Sequence, residues 1–260
     1  MELFWVSLAA FLASCLTFFS GFGLGTLLMP VVALFLPVEV AIAVTAIVHL
    51  ANNLFKLALV GKKVDRSVQL VLWRFGVPAV LAALLGAWLL NALSGLPTLF
   101  EYQWLGRAFA VSVVKFIIGV LILTFVWLEL SPRWSKMSFD ARYLPLGGAL
   151  SGFFGGLSGH QGAFRSMFLL KSGLDSQRFI ATGVVLAVLV DVARMLVYGW
   201  NFSASTAHIQ WAMVLFASLS AFVGAYLGAQ LLHKVTLRTI QRLVSVLLVL
   251  IGLGLVTGLL

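Results

Sequence analysis

Apolar residues fill this chain in long unbroken runs, and polar residues gather in short breaks between them, a pattern of spanning helices rather than of amphipathic surface elements. Six runs have the roughly 20 residues that a helix needs to cross a bilayer: 39–60, 67–91, 104–130, 179–199, 206–232 and 241–259. Two others do not fit. Leu3 to Leu36 is apolar for 34 residues but is interrupted by "SGFGLG"; as one helix it would be about 51 Å long. Tyr143 to Leu170 is interrupted by "GGLSGHQG". Each is too long for one untilted crossing, is short for two, and carries glycines near its middle.

A constant shift of 138 positions aligns the halves of the chain without a gap from about Ser20 to Leu90. Ser20-Gly21 falls on Ser158-Gly159, Met29 on Met167, Gly61 on Gly199, Trp73 on Trp211, and Gly86-Ala87-Trp88 on Gly224-Ala225-Tyr226. Asn53 and Lys56 meet Asp191 and Arg194. With five residues removed from the first half, Ser112, Gly119 and Thr124 align with Ser245, Gly252 and Thr257. The expected fold is therefore an all-α polytopic membrane protein of two inverted repeats, 1–130 and 143–260, joined by a cytoplasmic linker, 131–142. Each repeat is one re-entrant or broken helical segment (3–36 and 143–170) followed by three transmembrane helices.

Composition strengthens the membrane reading: 62% of the 260 residues are hydrophobic and 10% charged, with a mean hydropathy of +1.11. Basic residues outnumber acidic ones by 17 to 8, but most lie between apolar runs, so they read as topology signals rather than as a nucleic-acid surface. If each interrupted segment enters and leaves on one side, one face collects Lys62, Lys63, Arg66, Arg133, Lys136, Arg142, Lys171, Arg178, Lys234, Arg238 and Arg242, and the other only Arg107. The basic face is then cytoplasmic and both termini are outside. "MELFW" has no basic n-region, so no cleaved leader is expected. Cys15 is the single cysteine, which leaves no intrachain disulfide or Cys-based metal site; no cofactor or metal site is visible. The oligomeric state is not encoded in these patterns.

Inverted repeats with broken segments are the mark of secondary transporters whose site lies where the breaks meet. Second limbs starting near Leu24 and Gly162 would aim free N–H groups and positive dipole ends at the centre, which suits an anion. Arg165, one turn into its limb, adds a planar fork of donors matched to an oxyanion. The expected substrate contacts are Gly21, Gly23, Gly25, Ser158, His160, Gln161, Gly162 and Arg165, with coupling or gating assigned to His49, Asn53, Lys56, Asp191 and Arg194. The partners are a small anion and the lipid bilayer.

"GFGLGTLLMP" and its echo "GGLSGHQGAFRSMFLLKSGL" resemble the two signature segments of the sulfite exporter TauE/SafE family of membrane permeases. The resemblance implies a bacterial inner-membrane carrier that moves sulfite or a related organosulfur anion such as a sulfonate, with the paired re-entrant segments at its centre. Where the family often carries a glycine run and then proline in the second half, this chain has His160, Gln161, Ala163, Arg165 and Phe168. Side chains rather than bare backbone would then line half of the site.

Several of these residues also have a structural reading. His160 and Gln161 could cap a broken helix, Asp191 and Arg194 form an i, i+3 ion pair, Lys56 could snorkel near the cytoplasmic end of its span, and His49 could be a packed, satisfied imidazole. Lys115 lies deep within 104–130, without an assigned role. Gly76, Gly86, Gly224 and Gly228 permit close helix packing. The competing functions are an uptake permease, a passive anion channel and, more remotely, an intramembrane serine protease with Ser158 as nucleophile and His49 or His208 as base.

Overall fold

The computed structural model describes residues 1–20, 23–60, 66–104, 106–131, 137–201, 209–231 and 237–260. Among them helices dominate: α1 (Glu2–Ser20), α2 (Leu24–Val32), α3 (Val38–Val60), α4 (Arg66–Val71), α5 (Val77–Ser94), α6 (Val113–Leu130), α7 (Leu144–Ser158), α8 (Gly162–Leu169), α9 (Ser176–Asn201), α10 (Trp211–Leu231) and α11 (Leu237–Thr257). Among the described residues four stretches can cross a membrane by length and apolarity, Val38–Leu59, Val68–Ser94, Ser176–Gly199 and Trp211–Gln230. Glu2–Thr17, Val113–Leu128 and Ser245–Thr257 are shorter apolar helices. Leu81, Leu85, Trp73, Trp88, Leu196, Leu215 and Leu250 stand exposed on the outside, an apolar surface suited to lipid and too extensive for a soluble monomer. The chain is a multi-pass membrane protein.

α4 and α5 form one continuous rod through a π-helical turn, Leu72–Gly76. Pro78 in the first turn of α5 has no N–H to return to the preceding turn, and the wider π turn sits immediately before it. Of the apolar segments with central glycines, the second breaks within the described residues; in the first, α1 ends at Ser20 and α2 starts at Leu24, with Gly23 extended before it. α7 ends at Ser158 because Gly159 takes a left-handed conformation, φ 82°, where a Cβ would be strained. Its N–H closes on the Gly155 carbonyl at 3.1 Å.

The packing is close where side chains are absent. α5 lies along α7 and α1 along α10. A methyl group on Gly148, Gly152 or Gly156 would collide with the carbonyls of Phe75, Ala79 and Ala83, and one on Gly224 with that of Phe11. α3 packs on α9 and α6 on α11.

One element differs from the all-helical expectation. β1 (Thr98–Trp104) and β2 (Arg107–Ser112) form an antiparallel hairpin, with Tyr102 opposite Phe109 and Glu101 opposite Ala110, turning at Gly106 with φ 73°. The apolar run 104–130 thus begins as a strand. A run of aromatic and β-branched residues does not by itself separate strand from helix, and Ser112, which accepts the Lys115 N–H at 3.2 Å, sets the start of α6. Lys115 consequently lies in the first turn of a shorter helix, half-buried, and not deep within a span.

Candidate functional site

The two breaks meet. α2 starts at Leu24 and α8 at Gly162, and neither start carries a side-chain cap hydrogen bond among the described residues. A methyl on Gly25 would stand 3.5 Å from the Gly159 carbonyl oxygen, and one on Gly23 would stand 3.2 Å from His49 Nε2. Glycine at these places lets the first break approach both the second break and α3.

The broken end of α7 is satisfied from α9. The Tyr198 hydroxyl donates to the Gly156 carbonyl at 2.5 Å and Arg194 Nη1 to that of Gly155 at 3.3 Å. Carbonyls that a helix end leaves open need such donors when water is absent. Ser151 Oγ, 2.9 Å from the Gln161 carbonyl, ties the start of α8 back to the middle of α7.

Asp191, fully buried, is the centre of the polar network. Its Oδ1 accepts from Arg194 Nη2 at 2.7 Å and from Gln161 Nε2 at 3.2 Å. Its Oδ2 accepts from Asn53 Nδ2 at 3.1 Å and lies 2.6 Å from His49 Nδ1. Arg165 Nη1 reaches Gln161 Oε1 at 3.4 Å. A buried carboxylate is tolerable only with partners of this kind.

On one side of this network lies a cavity of about 40 Å³, lined by Thr17, Gly23, Leu24, His49, Asn53, Lys56, Arg165, Ser166, Leu169, Phe179, Ile180, Gly183 and Val184. A water needs roughly 10–15 Å³ of such volume, so the space has room for about three waters. Among the described residues that line it, two are basic and none is acidic.

Of the residues singled out in the sequence, Gly23, His49, Asn53, Lys56 and Arg165 come together on the cavity wall. Lys56 is buried against the cavity, 5% exposed, and does not snorkel. Asp191, Arg194 and Gln161 form the network behind the wall. Gly25 and Gly162 stand at the helix starts, and Gly21 lies outside the described residues, as does His208. His160 turns away from the cavity: its ring stacks on Phe125 at 5.3 Å and its Nδ1 donates to the Ser158 carbonyl at 3.0 Å. Ser158 Oγ donates to the Phe154 carbonyl at 3.1 Å, and His49, one of its candidate bases, is engaged by Asp191. Sequence reasoning missed Thr17, Ser166 and Gly183 on the wall, and Tyr198 behind it. Thr17 and Ser166 carried a signal, since each is a hydroxyl within one turn of a break or of Arg165; Gly183 carried none.

Neither a curated protein nor a solved structure matches the chain. The family model described as Sulfite exporter TauE/SafE matches residues 6–255, nearly the full length, and the protein belongs to that family of membrane transporters.

Proposed function

We propose that the protein exports sulfite or a related organosulfur oxyanion across a bacterial inner membrane, binding it in the cavity beside the two helix breaks. The observation that carries this reading is the wall itself: Arg165 and Lys56 face a space of about 40 Å³ with no carboxylate on it among the described residues, next to the N-terminus of α2 at Gly23 and Leu24. Arg165 supplies a planar donor fork and Lys56 a compact charge, both suited to oxyanion oxygens. In this reading 1–130 and 143–260 are inverted repeats whose broken segments are re-entrant.

Three contacts support the two-fold relation. Asn53 and Asp191, which share a place under the shift of 138, hydrogen-bond to one another at 3.1 Å, as residues on a two-fold axis do. Gly119 and Gly252, also equivalent, abut across α6 and α11. The α5–α7 and α10–α1 pairings are the same contact seen from each half. The cavity lies toward the end of α3 and the start of α9, the ends that the charge-derived orientation puts on the cytoplasmic side. With a membrane potential negative inside, each negative charge exported gains about 2.3 kcal/mol per 100 mV.

The test is binding and proteoliposome flux of sulfite, thiosulfate, methanesulfonate and chloride by wild type and Arg165→Ala. The expected result is oxyanion binding over chloride, weakened at least ~10-fold in the variant, as the loss of a charge-assisted hydrogen bond predicts. Equal binding of every anion by both proteins would overturn this site.

A further inference from the structure

The His49–Asp191 contact has a direction. Asp191 receives donors on both oxygens, from Arg194, Gln161 and Asn53, so it is a carboxylate, and the 2.6 Å contact is the His49 Nδ1–H donating to it. A neutral imidazole so held leaves its proton-free nitrogen, Nε2, on the side of Gly23, whose absent methyl would sit 3.2 Å away. Gly23 and His49 both line the cavity. Asn53 Nδ2 lies 3.1 Å from Nδ1 and 3.3 Å from Nε2; near-equal distances place it beside the ring, since a donor seated on the Nε2 lone pair would stand far from Nδ1.

We propose that His49 Nε2 is a proton-binding site, and that a proton is the second substrate, carried with the anion. Among the described residues, the charged groups facing the imidazole are Asp191 and Arg194 from α9, Arg165 from α8 and Lys56 from its own helix; Thr17 of α1 and Gly23, Leu24 and Gly25 at the start of α2 add no charge. Asp191 is balanced by Arg194. A proton entering from the cavity onto Nε2 makes an imidazolium beside Arg165 and Lys56, and an anion in the cavity offsets that added charge. Each ligand therefore strengthens the binding of the other. On release the proton leaves Nε2 and the Nδ1–H stays on Asp191; nothing is oxidised or reduced. The inference rests on the anion cavity proposed above.

Calorimetric titration in two buffers of different ionisation heat counts the protons taken up per anion. Thiosulfate and methanesulfonate are the probes, because their own charge is constant between about pH 5 and 8, where histidine titrates. The expected result for wild type is about one proton per anion, with affinity changing by up to about tenfold per pH unit. His49→Gln and His49→Asn are expected to bind without proton uptake and without that slope. A wild-type count of zero, or either variant keeping the uptake, overturns the proton site while leaving the anion site standing. If neither variant folds, Lys56→Gln decides: proton uptake that persists there stays with His49, and uptake that is lost, or a wild-type count of zero, overturns the site. Absence of binding by wild type at every pH overturns the anion reading, and this inference falls with it.

Discussion

At the scale of single residues, Asp191 and Arg194 are one unit: a buried pair at 2.7 Å whose members are 0% and 1% exposed. Removing one partner of a buried pair leaves an uncompensated charge and costs about 3–5 kcal/mol, whereas removing both costs far less. Asp191→Asn is therefore expected to lower the thermal midpoint in detergent sharply, and Asp191→Asn with Arg194→Gln to recover part of the loss. The recovery is partial because Arg194 also caps the Gly155 carbonyl. If the double variant melts no higher than the single one, the pair is not the unit described. This pair was legible in the sequence as an i, i+3 spacing. The His49–Asp191 contact was not, because 142 positions separate the two and no local pattern links them. The repeat aligned Asn53 with Asp191 without indicating that they touch.

Elements show a different limit on what a sequence discloses. The breaks were legible because polar and glycine residues interrupt otherwise continuous apolar runs, and α2 and α8 begin at Leu24 and Gly162, where the sequence placed second limbs. Two glycines of α7, Gly155 and Gly156, read in the sequence as part of the interruption "GGLSGHQG". Gly155 and Gly156 are still helical, and the break occupies Gly159 to Gln161. Gly148, Gly152 and Gly156 form a seam at four-residue spacing that lets α7 lie against the backbone of the π turn and α5, the small-residue packing by which helices associate in lipid. The hairpin stayed hidden for a related reason: its apolar residues match a helix as well as a strand. Gly152→Ala is expected to push α7 off the Ala79 carbonyl, at about 1–3 kcal/mol for overpacking, and to lower the thermal midpoint. Gly183→Ala serves as the control, since its methyl would meet only Arg165 Nε at an ordinary 3.6 Å and should leave the midpoint unchanged. Equal midpoints for the two variants would mean that the seam is not tightly packed.

For the whole molecule, the proposed two-fold relation makes a statement about the side of the protein that is closed. Under the shift of 138, the cavity wall of Gly23, Asn53, Lys56, Phe179 and Gly183 maps onto Gln161, Asp191, Arg194, Ala41 and Thr45. In this structure that second set is packed shut: Ala41 and Gln161 are 0% exposed and Thr45 2%. Two of its polar atoms, Thr45 Oγ1 and Arg194 Nε, are buried with no hydrogen-bond partner among the described residues. Each such atom costs about 1–3 kcal/mol, a penalty that is relieved if the closed side opens to water. Under the proposed two-fold relation, alternating access would exchange the two sets, the second forming the outward cavity once the first has closed. In a Cys15→Ala background, Gly183→Cys should react with a membrane-impermeant thiol reagent only from the face bearing the basic loops. Thr45→Cys should react only from the opposite face, and chiefly while anion is being transported. Labelling of both positions from one face, at rates independent of anion, would show a channel open along a single path and would remove the exchange of cavities from the mechanism.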